Sequence, residues 1–265
     1  MKPTSARQPD AQLPTGSSKH SSRSERVEHA RREVRLLVFD VFGSVVDWRT
    51  SIARDLGHWG QTQGVDADWE ALALAWRGLY QPQMQKVRSG ERDWTILDVL
   101  HREALDSLLP QFGLQGLSEA QKQHINRVWH RLDAWPDSIA GLTRLKSRYT
   151  IAPLSNGNVA LLTNMARHAG LPWDLVLSTE WFKAYKPQPQ TYLGVAHIMG
   201  LAPHEVMLCA AHNDDLAAAR AQGLRTAFWP RPTEYGPMQK KDFEADADWD
   251  IVATDIRDLA RQLVD

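Results

Sequence analysis

The sequence predicts an α/β protein: a doubly wound, parallel, Rossmann-like sheet with a helical cap inserted after the first strand. Two observations favour this fold. An apolar strand at residues 35–39 is followed by residues 50–132, which show only helical patterns. From residue 142 onward, short apolar runs alternate with helical patterns, as in parallel sheets with helices on both faces.

The first strand carries the most informative signal in the chain. The apolar run Leu36–Phe39 leads directly into Asp40, and Gly43 and Ser44 follow shortly after. Ligands bind beyond the carboxyl ends of strands in open α/β sheets, and a glycine lets the backbone approach a ligand closely. We therefore expect Asp40 at a functional site, although on this stretch alone a turn aspartate remains an equal alternative.

Apolar stripes at helical spacing predict the helices of the cap. The stripes comprise Trp69, Leu72, Trp76 and Leu79, then Trp94, Leu97, His101 and Leu105, then Ile125, Val128, Trp129 and Leu132. Ser118 and Gln121 predict a capping box before the last of these helices. The tryptophans fall mostly at helical spacing, so we interpret them as core residues.

The later strands are expected at residues 149–154, 175–178, 206–210, 226–229 and 251–252. Helices lie between them, and two are expected to end near Gly170 and Gly223. The predicted division is an α/β core of residues 34–49 and 136–265 with a cap of residues 50–135. Residues 1–33 are serine-rich, basic and nearly devoid of apolar side chains, which predicts a disordered tail.

Composition excludes several classes of function. The net charge of −1 provides no general basis for binding nucleic acid or an anionic membrane. No apolar stretch approaches membrane-spanning length, and the amino-terminal segment lacks the apolar core of a secretory signal. The single cysteine, Cys209, excludes an internal disulfide framework and fits a reducing compartment, so we expect a cytoplasmic protein. Because Cys209 ends an apolar run, we expect a buried structural thiol.

Three further polar clusters follow predicted core strands. They contain Ser155 and Asn156, then Lys186 with Tyr192 six residues later, then His212, Asn213 and Asp215. Taken singly, each has an ordinary interpretation: an N-cap serine, a solvated lysine and a hydrogen-bonded turn. Their order along the chain is more specific than any one of them.

An aspartate after the first strand, then a serine, a lysine and an acid after later strands, resembles the haloacid dehalogenase superfamily. The resemblance covers about residues 35–230. It implies that Asp40 is a nucleophile and that Lys186 holds and neutralises it. Most members of this superfamily are magnesium-dependent phosphatases.

Two positions depart from the phosphatase pattern. Phe42 stands where those phosphatases carry a general acid, and an aromatic ring cannot transfer a proton. Ala211 stands where they carry a metal-binding acid, and a methyl group cannot bind a hard cation. We therefore expect no metal and no cofactor.

The remaining motifs resemble the L-2-haloacid dehalogenase (type II) family. FDVFGSVVDW, LSNGN and KPQPQTY match its first three motifs, and Trp76-Arg77 resembles its cap pair. The resemblance implies a small anionic 2-haloacid substrate, an ester on Asp40, inversion at C2 and a homodimer. It assigns catalysis to Asp40, Lys186, Asp215 and Ser44, and we expect His212 to act with them. Substrate binding is expected of Phe42, Arg77, Ser155, Asn156, Tyr192 and Asn213.

The sequence also departs from the type II pattern. Ser44 replaces a threonine, Ala210 a serine and His212 an asparagine. The sequence therefore leaves open which side chain positions the hydrolytic water. Some combination of His212, Asn213 and Asp215 is expected to place that water. A phosphatase of small metabolites and a non-catalytic binding protein remain alternatives. A pure binding protein would not need Asp40, Ser155, Lys186 and Asp215 together, so their presence disfavours the second alternative.

Overall fold

The computed structural model describes residues 22–265, which contain eight strands and ten α-helices. The strands are β1 (Leu36–Phe39), β2 (Val46–Asp47), β3 (Asp133–Ala134), β4 (Thr150–Ser155), β5 (Leu177–Ser178), β6 (Val206–Ala210), β7 (Arg225–Phe228) and β8 (Ile251–Val252). The helices are α1 (Arg23–Glu33), α2 (Trp48–Gln63), α3 (Trp69–Arg88), α4 (Leu97–Leu108), α5 (Glu119–Asn126), α6 (Ser138–Lys146), α7 (Val159–Ala169), α8 (Pro189–Met199), α9 (Asn213–Ala221) and α10 (Ile256–Val264).

Six strands form one parallel sheet in the order β5-β4-β1-β6-β7-β8. β1 lies in the middle, with Phe39 opposite Pro153 of β4 and Cys209 of β6. Successive residues of a strand point to opposite faces, and all four β1 side chains are buried. The predicted parallel α/β sheet is confirmed, and the observed strand bounds differ from the predicted ones by two residues at most.

Helices cover both faces of the sheet. On one face, Leu36 and Val38 of β1 join an apolar cluster with residues of α8 and α9, including Tyr192 and Leu216. On the other face, Leu37 joins a larger cluster that includes residues of α6, α7 and α10. This two-sided burial explains why the strands read as continuous apolar runs rather than alternating ones.

Helices α2 to α5 lie between β2 and β3, where the sequence predicts a helical block. Asp47 caps α2 by accepting the N–H of Thr50 at 3.1 Å. The capping box of Ser118 and Gln121 is confirmed at the start of α5. We call residues 48–132 the helical insert; its treatment as a separate cap domain with boundaries at 50 and 135 stays a prediction.

Both chain crossings between the sheet and the helical insert lie side by side. β2 and β3 pair antiparallel, with Val46 opposite Ala134 and Asp47 opposite Asp133. The backbone N–H of Trp135 donates to the carbonyl of Val45 at 3.0 Å. Sequence patterns do not predict this ribbon, because two-residue strands have no measurable periodicity.

The prediction of a disordered tail over residues 1–33 is wrong for its second part. Residues Arg23–Glu33 form α1, which begins with a reciprocal capping box between Ser22 and Glu25. The helix buries Val27 and Ala30 against α10. Two buried apolar residues and a good N-cap thus outweigh the polar composition. The remainder of the predicted tail lies outside the described residues.

Two smaller predictions are also settled. Gly170 ends α7 in the left-handed conformation, with φ of 68°. Cys209 is fully buried, and burial raises the pKa of its thiol well above the usual value, in agreement with a structural role.

Among residues 22–265, no helix combines the length and apolar character needed to cross a bilayer.

Candidate active site

The carboxyl ends of three neighbouring strands bring the predicted polar clusters together. Asp40 directly follows β1, Ser155 ends β4, and His212 lies two residues beyond β6. Because β1 lies between β4 and β6, Asp40 occupies the centre of this edge.

The carboxylate of Asp40 is buried and has three side-chain partners. Nζ of Lys186 donates to Oδ1 at 2.9 Å. Oγ of Ser44 donates to Oδ2 at 2.7 Å, and Nδ1 of His212 lies 3.0 Å from the same oxygen. Burial alone would raise the pKa of Asp40, but the Lys186 charge and the other two partners hold it well below its usual range. Asp40 is therefore ionised at neutral pH.

Lys186 is fixed between two carboxylates. Besides Asp40, it donates to Oδ2 of Asp215 at 2.5 Å, and Tyr192 donates its hydroxyl to Oδ1 of Asp215 at 2.7 Å. The backbone N–H of Lys186 donates to the side-chain oxygen of Asn156 at 2.9 Å. Burial would lower the pKa of Lys186, but the two carboxylates raise it above its usual value. The ammonium group is thus both charged and immobilised.

His212 also lies between two carboxylates. Its Nε2 is 2.8 Å from Oε2 of Glu234, on the far side of the ring from Asp40. Glu234 is almost completely buried and accepts the indole N–H of Trp48 at 2.9 Å. Burial would lower the pKa of His212, but Glu234 and Asp40 outweigh it and hold that pKa well above its usual value.

Arg77, on α3 of the helical insert, approaches the same group of side chains. Its guanidinium carbon lies 4.2 Å from the ring centre of Tyr80, 5.6 Å from that of Trp48 and 6.0 Å from that of Phe42. Nη2 lies 3.9 Å from Oε1 of Glu234, whereas the buried Nη1 has no hydrogen-bond partner among the described residues. A cation with a free donor, surrounded by aromatic faces, is suited to hold a small anion.

The charged groups form a continuous series of alternating sign. The members in order are Arg77, Glu234, His212, Asp40, Lys186 and Asp215. Each carboxylate in the interior of the series contacts two cations, which offsets the cost of burying it. With His212 protonated, the series has no net charge, so an anionic ligand meets no excess negative charge.

All of these residues except Glu234 border a cavity of about 380 Å³, a volume suited to a small ligand. Its lining residues are Asp40, Phe42, Arg77, Tyr80, Gln81, Asn156, Lys186, Pro187, His212, Asp214, Asp215, Tyr235 and Lys241. Seven of the residues predicted from the sequence are among them.

Three predicted residues lie behind the cavity wall and contact it through neighbours. Ser44 accepts the N–H of Ala211 at 2.9 Å while donating to Asp40. Oγ of Ser155 accepts the N–H of Gly157 at 3.2 Å, and Tyr192 acts through Asp215. Ser44 and Tyr192 thus orient carboxylates that line the cavity, whereas Ser155 holds the backbone just after β4.

Asn213 does not face the cavity, so its assignment to substrate binding needs correction. Its side-chain N–H groups donate to Oδ1 of Asp242 and to the carbonyl of Glu244, each at 2.9 Å. Its side-chain oxygen accepts the indole N–H of Trp249 at 2.8 Å. The amide is fully used in holding residues 242–249, which leaves His212 and Asp215 as the groups near Asp40.

Sequence reasoning missed Glu234, Trp48, Tyr80 and Tyr235. A signal for Glu234 existed, because it is an acid that comes after a core strand, β7, as Asp40 comes after β1. Five residues, 229–233, separate β7 from Glu234 and obscure that relationship. From the sequence, the tryptophans are interpreted as core residues, and Trp48 does lie in the core.

Residues 22–265 contain no group of three or more His, Cys, Asp or Glu side chains arranged to hold a metal ion. The side chains at positions 42 and 211 offer no ligand atom.

A family of haloacid dehalogenase-like hydrolases matches residues 25–223, about three quarters of the chain. The chain belongs to the haloacid dehalogenase-like hydrolases. Among curated members, (S)-2-haloacid dehalogenase 1 of Pseudomonas sp. (strain CBS-3) is 30% identical over 211 residues, covering 76% of this chain and 88% of that protein. (S)-2-haloacid dehalogenase 4A of Burkholderia cepacia is 28% identical over 235 residues, covering 86% and 98%.

Two solved structures share most of the described fold. The L-2-haloacid dehalogenase PA0810 is 51% identical, with a TM-score of 0.84, over 87% of this chain and 98% of that one. The defluorinating L-2-haloacid dehalogenase Rha0230 is 48% identical, with a TM-score of 0.83, over 87% and 95%.

Proposed function

We propose that this protein is a hydrolytic dehalogenase of L-2-haloacids that uses Asp40 as its nucleophile. The observation that carries the proposal is the buried carboxylate of Asp40, held by Lys186 and Ser44 in a cavity that Arg77 borders from the helical insert. The named activities of the curated relatives, and of PA0810 and Rha0230, support the substrate class.

In the first step, an oxygen of Asp40 attacks C2 of the haloacid from behind the carbon–halogen bond. The carbon–halogen bond breaks, C2 inverts, and the halide departs toward the free Nη1 of Arg77. Lys186 and Ser44 restrict the carboxylate to one orientation, so the encounter is effectively intramolecular. No proton is needed by the leaving halide, which explains why Phe42 can occupy the position of a general acid.

In the second step, water attacks the carbonyl carbon of the Asp40 ester. The single bond between this carbonyl carbon and the oxygen on C2 of the substrate breaks, which releases the 2-hydroxy acid and restores the carboxylate. His212 is the group beside the ester that can handle the proton of this water, because its Nδ1 lies 3.0 Å from Asp40. Lys186 stabilises the negative charge that develops on the ester carbonyl oxygen.

A single turnover in oxygen-18 water tests the nucleophile. Enzyme in excess is mixed with L-2-chloropropionate, and both the product and the peptide containing Asp40 are analysed by mass spectrometry. We expect label in the Asp40 carboxylate and an unlabelled first product. Label in the first product, with Asp40 unlabelled, would show direct attack by water and reject the ester route.

A matched pair of variants separates Asp40 from the other nearby acid. Asp40→Asn should abolish halide release, because an amide is a poor nucleophile. Asp47→Asn retains an acceptor for the N–H of Thr50 and should remain active. The D enantiomer and fluoroacetate complete the substrate panel, the latter because Rha0230 is a defluorinating enzyme. Hydrolysis of p-nitrophenyl phosphate in place of halide release would favour the phosphatase alternative.

A further inference from the structure

The position of His212 constrains its protonation state. Both ring nitrogens face carboxylate oxygens, with Nδ1 3.0 Å from Asp40 and Nε2 2.8 Å from Glu234. A neutral imidazole carries one N–H, so one nitrogen would direct its lone pair at a carboxylate. Only the imidazolium ion donates both bonds. The free enzyme therefore holds His212 in the form that cannot accept a proton from water.

Ester formation changes one of these two partners and not the other. When Asp40 becomes an ester, its negative charge disappears, while Glu234 keeps its charge and its bond to Trp48. One carboxylate then faces one N–H, which is the arrangement that suits the neutral ring with its proton on Nε2. The lone pair of Nδ1 is left beside the ester of Asp40.

From this geometry we infer that His212 is protonated in the free enzyme and becomes the general base only after Asp40 has been esterified. Glu234 is the positioning residue that holds the neutral ring with Nδ1 toward the ester. This inference rests on the proposed function and goes beyond it, because it assigns the order of the proton transfers. It also explains how a histidine can replace the asparagine of the type II pattern.

The proton balance follows directly. Attack by Asp40 forms the ester and releases halide without any proton transfer. His212 then releases its Nδ1 proton to solvent. During hydrolysis, Nδ1 takes a proton from the attacking water, and the second proton of that water ends on the departing alkoxide. The sum is haloacid plus water giving hydroxy acid, halide and one proton, with Asp40 and His212 returned to their starting forms.

Surrounding charges support the same order. The charged groups near the ring are Asp40, Glu234, Asp214, Lys186, Arg77 and Lys241. Lys186 and Arg77 each contact one of the two carboxylates, and Lys241 pairs with Asp214 at 2.9 Å, so none of the cations contacts the ring itself. Burial lowers the pKa of His212, and the two carboxylates together outweigh this effect. When one carboxylate loses its charge, the pKa of His212 should therefore fall.

Nitrogen-15 NMR of the intact protein tests the inference without turnover. Asp40→Asn replaces the carboxylate by a neutral amide of the same shape. It therefore reproduces the loss of negative charge that accompanies ester formation. We expect the pKa of His212 to fall by about one unit or more in this variant relative to the unmodified enzyme. Loss of the resonance in His212→Gln identifies it. An unchanged pKa, or a neutral His212 in the free enzyme at pH 7, would overturn the inference.

Charge variants at two other acids provide the controls. Glu234→Gln removes the second contacting carboxylate and should also lower the pKa of His212. Asp214→Asn removes a charge that does not contact the ring, and it should shift the pKa much less. Equal shifts in Asp40→Asn and Asp214→Asn would mean that general electrostatics, not the contact, controls the ring.

The timing of proton release distinguishes this inference from the proposed function. In a single turnover with a pH indicator, we expect proton release to accompany halide release and to precede formation of the hydroxy acid. Proton release with the hydroxy acid instead would overturn the inference while leaving the ester mechanism intact. A mass increase on the Asp40 peptide reports the ester separately, and its absence would refute the proposed function.

Discussion

Gly43 and Glu234 occupy adjoining space: a Cβ atom on Gly43 would lie 2.1 Å from Oε1 of Glu234. Gly43 also has φ of 86°, in the region that favours glycine. Gly43, three positions after Asp40, thus leaves room for Glu234, whose carboxylate contacts both His212 and Arg77. Only glycine allows Glu234 to reach this position.

Gly43→Ala should therefore lower kcat at saturating substrate by about tenfold or more, because it displaces Glu234 from His212. Gly64→Ala is the matched control: Gly64 has φ of 66° and nothing within 4 Å of an added Cβ. Both variants incur a backbone cost of about 1–2 kcal/mol, but only the first should affect turnover. Equal kcat values in the two variants would show that Glu234 does not need this position.

Arg77 should be essential although it lies in the helical insert. Arg77→Ala should reduce kcat about 100-fold or more, because the departing halide loses its cation. Arg77→Lys keeps the charge but loses the planar group that packs on Tyr80, and it should restore little activity. Arg102→Lys, at an exposed pair with Glu119, is the control and should leave kcat unchanged. Near-normal rates in both Arg77 variants would contradict this role.

Activity should persist after dialysis against EDTA, because positions 42 and 211 carry no ligand atoms for a hard cation. Halide release from L-2-chloropropionate is measured before dialysis, after it, and after addition of magnesium. Three equal rates are expected. A rate that falls with EDTA and returns with magnesium would show that a metal acts in this site.

His101 should make the protein less stable in acid. It is fully buried against Trp129, neither ring nitrogen has a partner among the described residues, and burial lowers its pKa to about 3. The unfolded chain binds a proton near pH 6.5, so stability falls as the pH drops below that value. At pH 5 this loss amounts to about 2 kcal/mol.

His101→Phe keeps a ring on Trp129 but removes the titrating group. The difference in the free energy of unfolding between pH 7.5 and pH 5 should therefore shrink by about 2 kcal/mol, as measured by urea denaturation. His101→Gln also lacks the titrating group and should show the same smaller pH dependence at a lower overall stability. A pH dependence unchanged in both variants would contradict the assignment.

Sequence patterns predicted the parts of the structure that depend on local periodicity. β6 and β8 were predicted to the residue, because buried parallel strands are apolar at every position. The resemblance to the haloacid dehalogenase superfamily implies that Lys186 holds Asp40, and both Asp40 and Asp215 lie within hydrogen-bond distance of Lys186.

What escaped prediction depends on contacts between distant segments. Glu234 lies in a loop whose position is fixed by Arg231, which donates to both oxygens of Asp137 and to the carbonyl of Ser44. Asn213 appeared to belong to the site, but its amide is used by residues 242–249. The contacts of Arg231 and of the Asn213 amide leave no mark on local sequence. The homodimer, the cytoplasmic location and the domain boundaries stay predictions.

The pairing of β2 with β3 has a consequence for how this fold tolerates change. The chain enters the helical insert from Val46 and leaves it at Ala134, which lies opposite Val46. The insert is therefore a loop whose two ends are held side by side. The entropy cost of such a closed loop grows only with the logarithm of its length, by about 0.6 kcal/mol for each doubling. The parallel sheet can therefore carry inserts of very different length at this point, provided that the ribbon still forms.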